Sequence, residues 1–309
     1  MVEQAPVDWP TCDQDGCIGI QLSVGQMCLA HASEEERHDA LDRLRDGNLD
    51  MRGVRASSQL LERVLAAAHD YENDRPVFRV PRFDGAIFEG TALFRRADFR
   101  GDAIFHGATF KGSADFGQAT FGGGAEFDTA TFEGDALFQE TTFEGHAGFD
   151  EATFHDHAGF NEAPFHGDAL FQRATFHSGA EFDEAIFHGN AGFRGAIFHG
   201  NTGFEGATFP GTAEFVGATF HGTAWFMGAT FHGDAGFVGG TFHRDAHFGG
   251  DLPRHRRVRG GDLPRQHRVR GCDLPRDRLV HGGDFRGPSQ VQGGDFRGRG
   301  RVPQCDISA

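Results

Sequence analysis

Four residues near the amino terminus have the types and spacing of a metal site. The stretch "CDQDGCIGIQLSVGQMCLAH" carries Cys12 and Cys17 as Cys-x4-Cys, then ten residues, then Cys28 and His31 as Cys-x2-His. Three thiols and an imidazole make a closed donor set for tetrahedral zinc, with turns at Asp15-Gly16 and Gly25 able to bring the two pairs together. Unligated thiols are the competing reading. No open fourth position or neighbouring general base points to a catalytic metal. Five cysteines in 309 residues do not form a disulfide framework.

Histidine is the other recurrent chemical group. It follows Phe at 155, 166, 177, 188, 199, 221, 232 and 243, with Pro210 interrupting the series. Repeated surface histidines could bind metal or titrate together near neutral pH, but duplication of a solvent-facing position explains them as well. The chain has no nucleophile elbow and no phosphate-binding glycine loop outside its repeat. Glycines that recur because a unit recurs carry no nucleotide signature, so no enzyme is expected.

Two helices are expected to follow the cysteine cluster. Ser33 and Glu36 have the spacing of a capping box, which predicts a helix over 34–45 stopping at Gly47. Leu60, Leu61, Val64 and Leu65 share one face of a second helix predicted over 58–69. Both are expected to cap the open end of the segment that begins at Phe83.

That segment is a repeat. From Phe83 to Phe248 a Phe recurs in alternating steps of five and six without a miss, 31 in 166 residues. Ala stands two positions before nearly every one, with Thr141, Thr202 and Gly240 as small exceptions. An eleven-residue period also suits a right-handed coiled coil, but a Gly in almost every unit and Thr before many of the Phe disfavour helix. In an extended segment Ala-x-Phe puts Ala and Phe on one side and the middle residue in solvent. Such segments bury nothing alone and must stack on their copies. Alternating faces of five and six stack in register only on coils with an even number of faces, and two faces enclose too little space for Phe rings. Four faces and about 22 residues per coil are therefore expected, an all-β solenoid in which His155, His177, His199, His221 and His243 form one ladder and His166, His188 and His232 another.

The units "ADFRG", "ATFKG" and "SADFG" resemble pentapeptide repeats, in which a small residue, a polar residue and a central Leu or Phe are followed by two polar or Gly residues. The resemblance implies a right-handed quadrilateral parallel β-helix, with the central residue and the one two before it pointing inward. The all-Phe core and the sixth residue in alternate faces depart from that pattern. The cysteine cluster resembles small Cys-rich modules placed before such repeats in actinobacterial proteins. At a strand spacing of about 4.8 Å the rod would be roughly 36 Å long.

Charge divides the chain into three expected parts. Residues 1–82, a Cys-rich module and two helices that together make an amino-terminal cap, carry a net −6; residues 83–248, the β-helix, −16; residues 249–309, +6. The last part keeps the eleven-residue period in a different alphabet, as in "GGDLPRHRRVRGGDLPRQHRVRG". Shifted by one nucleotide, its codons permit "ATFHGTAGF"-like units, with displaced Phe codons starting within Leu252, Val258, Leu263, Val269 and Leu274. Residues 249–309 thus read as frame-shifted repeats, since a unit of whole codons repeats in any frame; a diverged basic tail is the alternative. As polypeptide this Arg- and Gly-rich segment is expected to be disordered, and "RHRRVR" to meet nucleic acid only incidentally.

No signal sequence opens the chain and its longest aliphatic run, near Val64, is too short to cross a bilayer, so a cytoplasmic protein with no membrane partner is expected. The expected function is a non-catalytic scaffold binding a protein through an acidic surface. The family resemblance also implies an alternative, a DNA mimic of the quinolone-resistance type that binds a type II topoisomerase, and an end-to-end homodimer. A net −16 over the rod is about one charge per 2 Å, near the ~1.7 Å of duplex DNA.

Overall fold

The computed structural model describes residues 7–23, 25–43 and 48–249. The Ala-x-Phe segments form short parallel strands in four sheets of nine, nine, seven and eight strands, or about eight coils; one sheet begins with an antiparallel pair, His69–Asp70 with Arg75–Phe78. Register is fixed at 22 residues, as in Thr109 opposite Thr131 and Thr131 opposite Thr153. Four faces and the expected coil length are thereby established. Eight spacings across the longest sheets give about 38 Å.

The core is a set of four aromatic columns. Phe105, Phe127, Phe149 and Phe171 stack one above another at 4.6–5.0 Å with ring planes within 5°. Facing columns meet edge-on, Phe149 lying 5.4 Å from Phe138 and 5.3 Å from Phe160. Such offset and edge-to-face contacts suit the ring quadrupole. The Ala two positions earlier is equally buried and leaves the room that each ring fills.

The alternating step lengths correspond to two kinds of corner. Five-residue steps make a tight turn, as where Ala119 N–H donates to Phe116 C=O at 2.9 Å. Its third residue has positive φ, which recurs every eleven residues: Gln118, Thr129, Glu140, Glu151, Glu162, Arg173 and Glu184, then glycines from Gly195 onward. That is the conformation a type II turn requires there. Most six-residue steps have Gly at mid-corner, where backbones of successive coils touch; a Cβ on Gly134 would lie 2.8 Å from Gly112 C. Side chains also tie coil to coil, Asp128 Oδ1 accepting from Asp150 N–H at 2.8 Å and Asp150 Oδ1 from Gln172 N–H at 2.7 Å.

Two threonines replace Ala in the core, both fully buried. Thr141 Oγ1 donates to Phe116 C=O at 2.7 Å, whereas the Thr202 hydroxyl has no partner. A buried polar group without a partner carries its full desolvation cost. Thr202→Ala should therefore be neutral or stabilising by about 1 kcal/mol, and Thr141→Ala destabilising by about 1 kcal/mol. Denaturation midpoints of the two variants moving the same way would contradict this.

The amino-terminal cap is joined to the coils by strand pairing. Helix α1 (Glu34–Asp42) begins at Ser33 with both bonds of the capping box in place. The expected stop at Gly47 lies outside the described residues, as do the tail, its expected disorder and its frame-shift reading. Strand β1 (Arg55–Ala56) pairs with Ile87–Phe88. Helix α2 (Ser58–Ala67) buries Leu60, Leu61 and Val64 against the end of the solenoid, and α1 sits on α2, where Arg63 meets Glu34 at 2.9 Å. After β2 (His69–Asp70), strand β3 (Arg75–Phe78) pairs with Asp98–Phe99, and Phe78 stacks on Phe99 at 5.3 Å. Among the described residues no helix is long and apolar enough to cross a membrane.

Candidate functional site

Two turns converge in the Cys-rich module. Cys12 N–H donates to Gly19 C=O at 2.8 Å and Thr11 bridges Ile20, so the chain doubles back around Cys17. Cys28 C=O accepts from His31 and Ala32 N–H at 3.0 and 2.9 Å, folding the second pair into a helical turn. Arg37 of α1 holds that turn by donating to the carbonyls of Leu29, Ala30 and Ala32. Gly19 lets the turns close: a Cβ there would sit 2.9 Å from Cys28 Cβ and 3.4 Å from Cys17 Sγ.

The result brings Cys12, Cys17, Cys28 and His31 together, one ligand atom each, all within 4.8 Å of one another. Cys17 Sγ lies 3.8 Å from Cys28 Sγ, and His31 Nδ1 lies 3.4 Å from Cys12 Sγ and 3.5 Å from Cys28 Sγ. A zinc–sulfur bond of ~2.3 Å and a zinc–nitrogen bond of ~2.05 Å give tetrahedral edges of about 3.8 Å between sulfurs and about 3.6 Å between sulfur and nitrogen. The donor set and its spacing thus fit a tetrahedral metal ion. Gly19 N–H lies 3.4 Å from Cys17 Sγ, a donor suited to a thiolate.

Electrostatics distinguish the thiols. Burial pushes Cys28 up to about 12, with Cys17 adding to the rise. For Cys12 desolvation is outweighed by backbone hydrogen bonds at Cys28 and Gln14 and by His31, which bring it down to about 7. Crowded buried thiols ionise together only beside a cation.

The five-membered histidine ladder forms as the coil length requires, but the second is broken at Pro210, which takes the rung between His188 and His232. His155, His177, His199, His221 and His243 stack in sequence at 4.4–5.1 Å, and His166 stacks on His188 at 4.8 Å. Parallel rings at that distance do not aim two lone pairs at one ion. Their consequence is titration. Desolvation, then the neighbouring imidazoles, lower His177 and His221 below 6.5. A folded pKa below the unfolded value contributes stability that is present above the unfolded pKa and lost as pH falls from it through the folded one. Acidification below about 6.5 should therefore weaken the rod, and less so in a His177→Gln/His221→Gln chain. Equal acid sensitivity of the two chains in urea titrations would contradict it.

Acidic side chains collect at one corner. Glu140, Glu162 and Glu184 project there, one per coil and all exposed. Glu181, Asp183 and Glu205 line the adjoining face. Several acids elsewhere are matched: Glu89 with Arg55 and Lys111, Glu151 with Arg173, Glu214 with Arg194. The diagonally opposite corner carries Thr129, Glu151 and Arg173 at the equivalent positions.

A family model described as pentapeptide repeats, in nine copies, matches residues 83–131, 127–175, 160–208, 182–226 and 215–250. The chain belongs to the pentapeptide-repeat family. The match covers the Phe columns and both kinds of corner. No curated protein and no solved structure matches the chain.

Proposed function

We propose that this pentapeptide-repeat protein is a non-catalytic interaction scaffold, whose acidic corner is its working surface and whose amino-terminal cap is closed by structural zinc. The observation that carries the reading is the exposed column of Glu140, Glu162 and Glu184 beside Glu181, Asp183 and Glu205. Side chains on a solenoid repeat at fixed height, so a column offers a partner several identical contacts in line. Long-range attraction from such a surface accelerates encounter with a basic partner. In the cap Cys12, Cys17, Cys28 and His31 would hold the zinc, which supplies cross-linking and thiolate stabilisation.

The test is a Glu140→Lys/Glu162→Lys/Glu184→Lys chain compared with the parent in affinity capture at two salt concentrations. Capture that weakens with salt and is lost in the variant supports the reading; capture indifferent to both removes it. In parallel, inhibition of a type II topoisomerase by the parent chain, lost in the variant, would replace the scaffold with a DNA mimic.

A further inference from the structure

Outward side chains on each face form a column with one rung per coil. On the face carrying Ala180–Glu181 the successive rungs are Leu137, Gly159, Glu181, Gly203, Trp225 and His247. Two other glycine rungs, Gly159 under Gln139 and Gly192 beside Leu170, are buried, whereas Gly236 is half-exposed with only Val216 near it. Gly203 stays half-exposed and floors a groove of about 950 Å³. Trp225 closes one end, with His247 stacked 4.2 Å behind it, and Glu181 closes the other. His177, His199 and His221, with Arg244 at the same corner, form one wall, Asp183 and Glu205 the opposite one.

We propose that this missing rung is a slot for the guanidinium of an arginine presented by a protein partner. Ring-bearing rungs on this rod stack 4.2–5.1 Å apart, so the space above Gly203 is one planar group thick. A guanidinium can stack on the open indole face while its edge donates to carboxylates, which the point charge of a lysine does less well. An Asp183 carboxylate oxygen lies 2.5 Å from where a Cβ on Gly203 would sit, so a carboxylate already leans over the floor. Burial, then Glu205, Glu181 and Glu184, hold Asp183 above its usual range, a crowding that a cation relieves. The inference rests on the scaffold reading and gives the chemistry of the partner's anchoring residue.

The test follows the Trp225 indole N–H resonance of the full chain, assigned with Trp225→Phe, during titration with acetyl-Gly-Arg-Gly-amide and its lysine and citrulline counterparts. A saturable shift at Trp225 and not at Trp9 is expected with arginine, at least about fivefold weaker with lysine and absent with citrulline, which keeps the plane and loses the charge. Gly203→Leu refills the rung and should abolish the shift, while Asp183→Asn should weaken it several-fold. Equal responses to the three peptides, or a shift that survives Gly203→Leu, overturn the slot. A partner captured equally by parent and Gly203→Leu chains also overturns the slot and leaves the scaffold standing. Arginine-selective binding in a chain that captures no partner supports the slot and removes the scaffold.

Discussion

A full chain stripped of zinc by a chelator is expected to lose about 4 kcal/mol of stability in its amino-terminal cap, the linkage contribution of a ligand at a thousandfold over its dissociation constant. The route from metal to fold is short. Ile20 N–H, just past Cys17, donates to Arg52 C=O at 2.8 Å, and the Arg52 guanidinium lies over Trp9 at 5.2 Å. Gly53 N–H then donates to Asp84 C=O at 2.8 Å, and two residues later β1 pairs with the first coil. Loss of the ion should therefore raise amide exchange in the Cys-rich module and in Arg55–Ala56, leaving Phe127 to Phe171 protected. Cys28→Ser should do the same, whereas His31→Cys, a four-thiolate set, should still bind. Unchanged melting after both chelation and Cys28→Ser would contradict a structural metal.

Phe149→Ala is expected to destabilise the rod by about 3–5 kcal/mol, the cost of a ring-sized cavity in a core that cannot collapse. Phe149 contacts Phe127 and Phe171 along its column at 5.0 and 4.8 Å, besides the edge-on neighbours. Strand pairing on both sides holds the coils at fixed height, so relaxation into the void is small. In a repeat array such damage also weakens coupling between the coils above and below. Unfolding should broaden, with the two halves of the rod exchanging amides at different rates. Phe149→Leu, which keeps most of the volume, should cost less than about 1.5 kcal/mol. Equal midpoints for the two variants would mean that ring packing does not set the stability.

Much of this architecture is legible in the sequence because side chains with one role recur at one spacing. The five-and-six steps require an even number of faces, and the 22-residue register of Thr109 with Thr131 answers to that requirement. The capping box at Ser33 and Glu36 likewise rests on local geometry. Less visible are β1 and β3, which add strands of the cap to two sheets. Phe78 does stand five residues before Phe83, but Pro76 replaces the expected Ala and breaks the pattern. Proximity of Cys12, Cys17, Cys28 and His31 follows from spacing, whereas the Gly19 contact that closes the cluster depends on packing. The Gly203 groove is hidden for the same reason. Several glycines occupy that kind of position, and only neighbouring side chains decide which of them stay open.

In a scaffold that works through its acidic corner, that corner meets the partner, and neither an end of the rod nor the opposite corner does. A photo-crosslinking amino acid placed at Glu162 in one chain and at Arg173 in another, each irradiated in extract from the native cells, separates these surfaces. A discrete adduct is expected from position 162, suppressed by high salt, and none from position 173. Adducts of equal yield from both positions, or from 173 alone, would rule out the acidic corner as the contact surface.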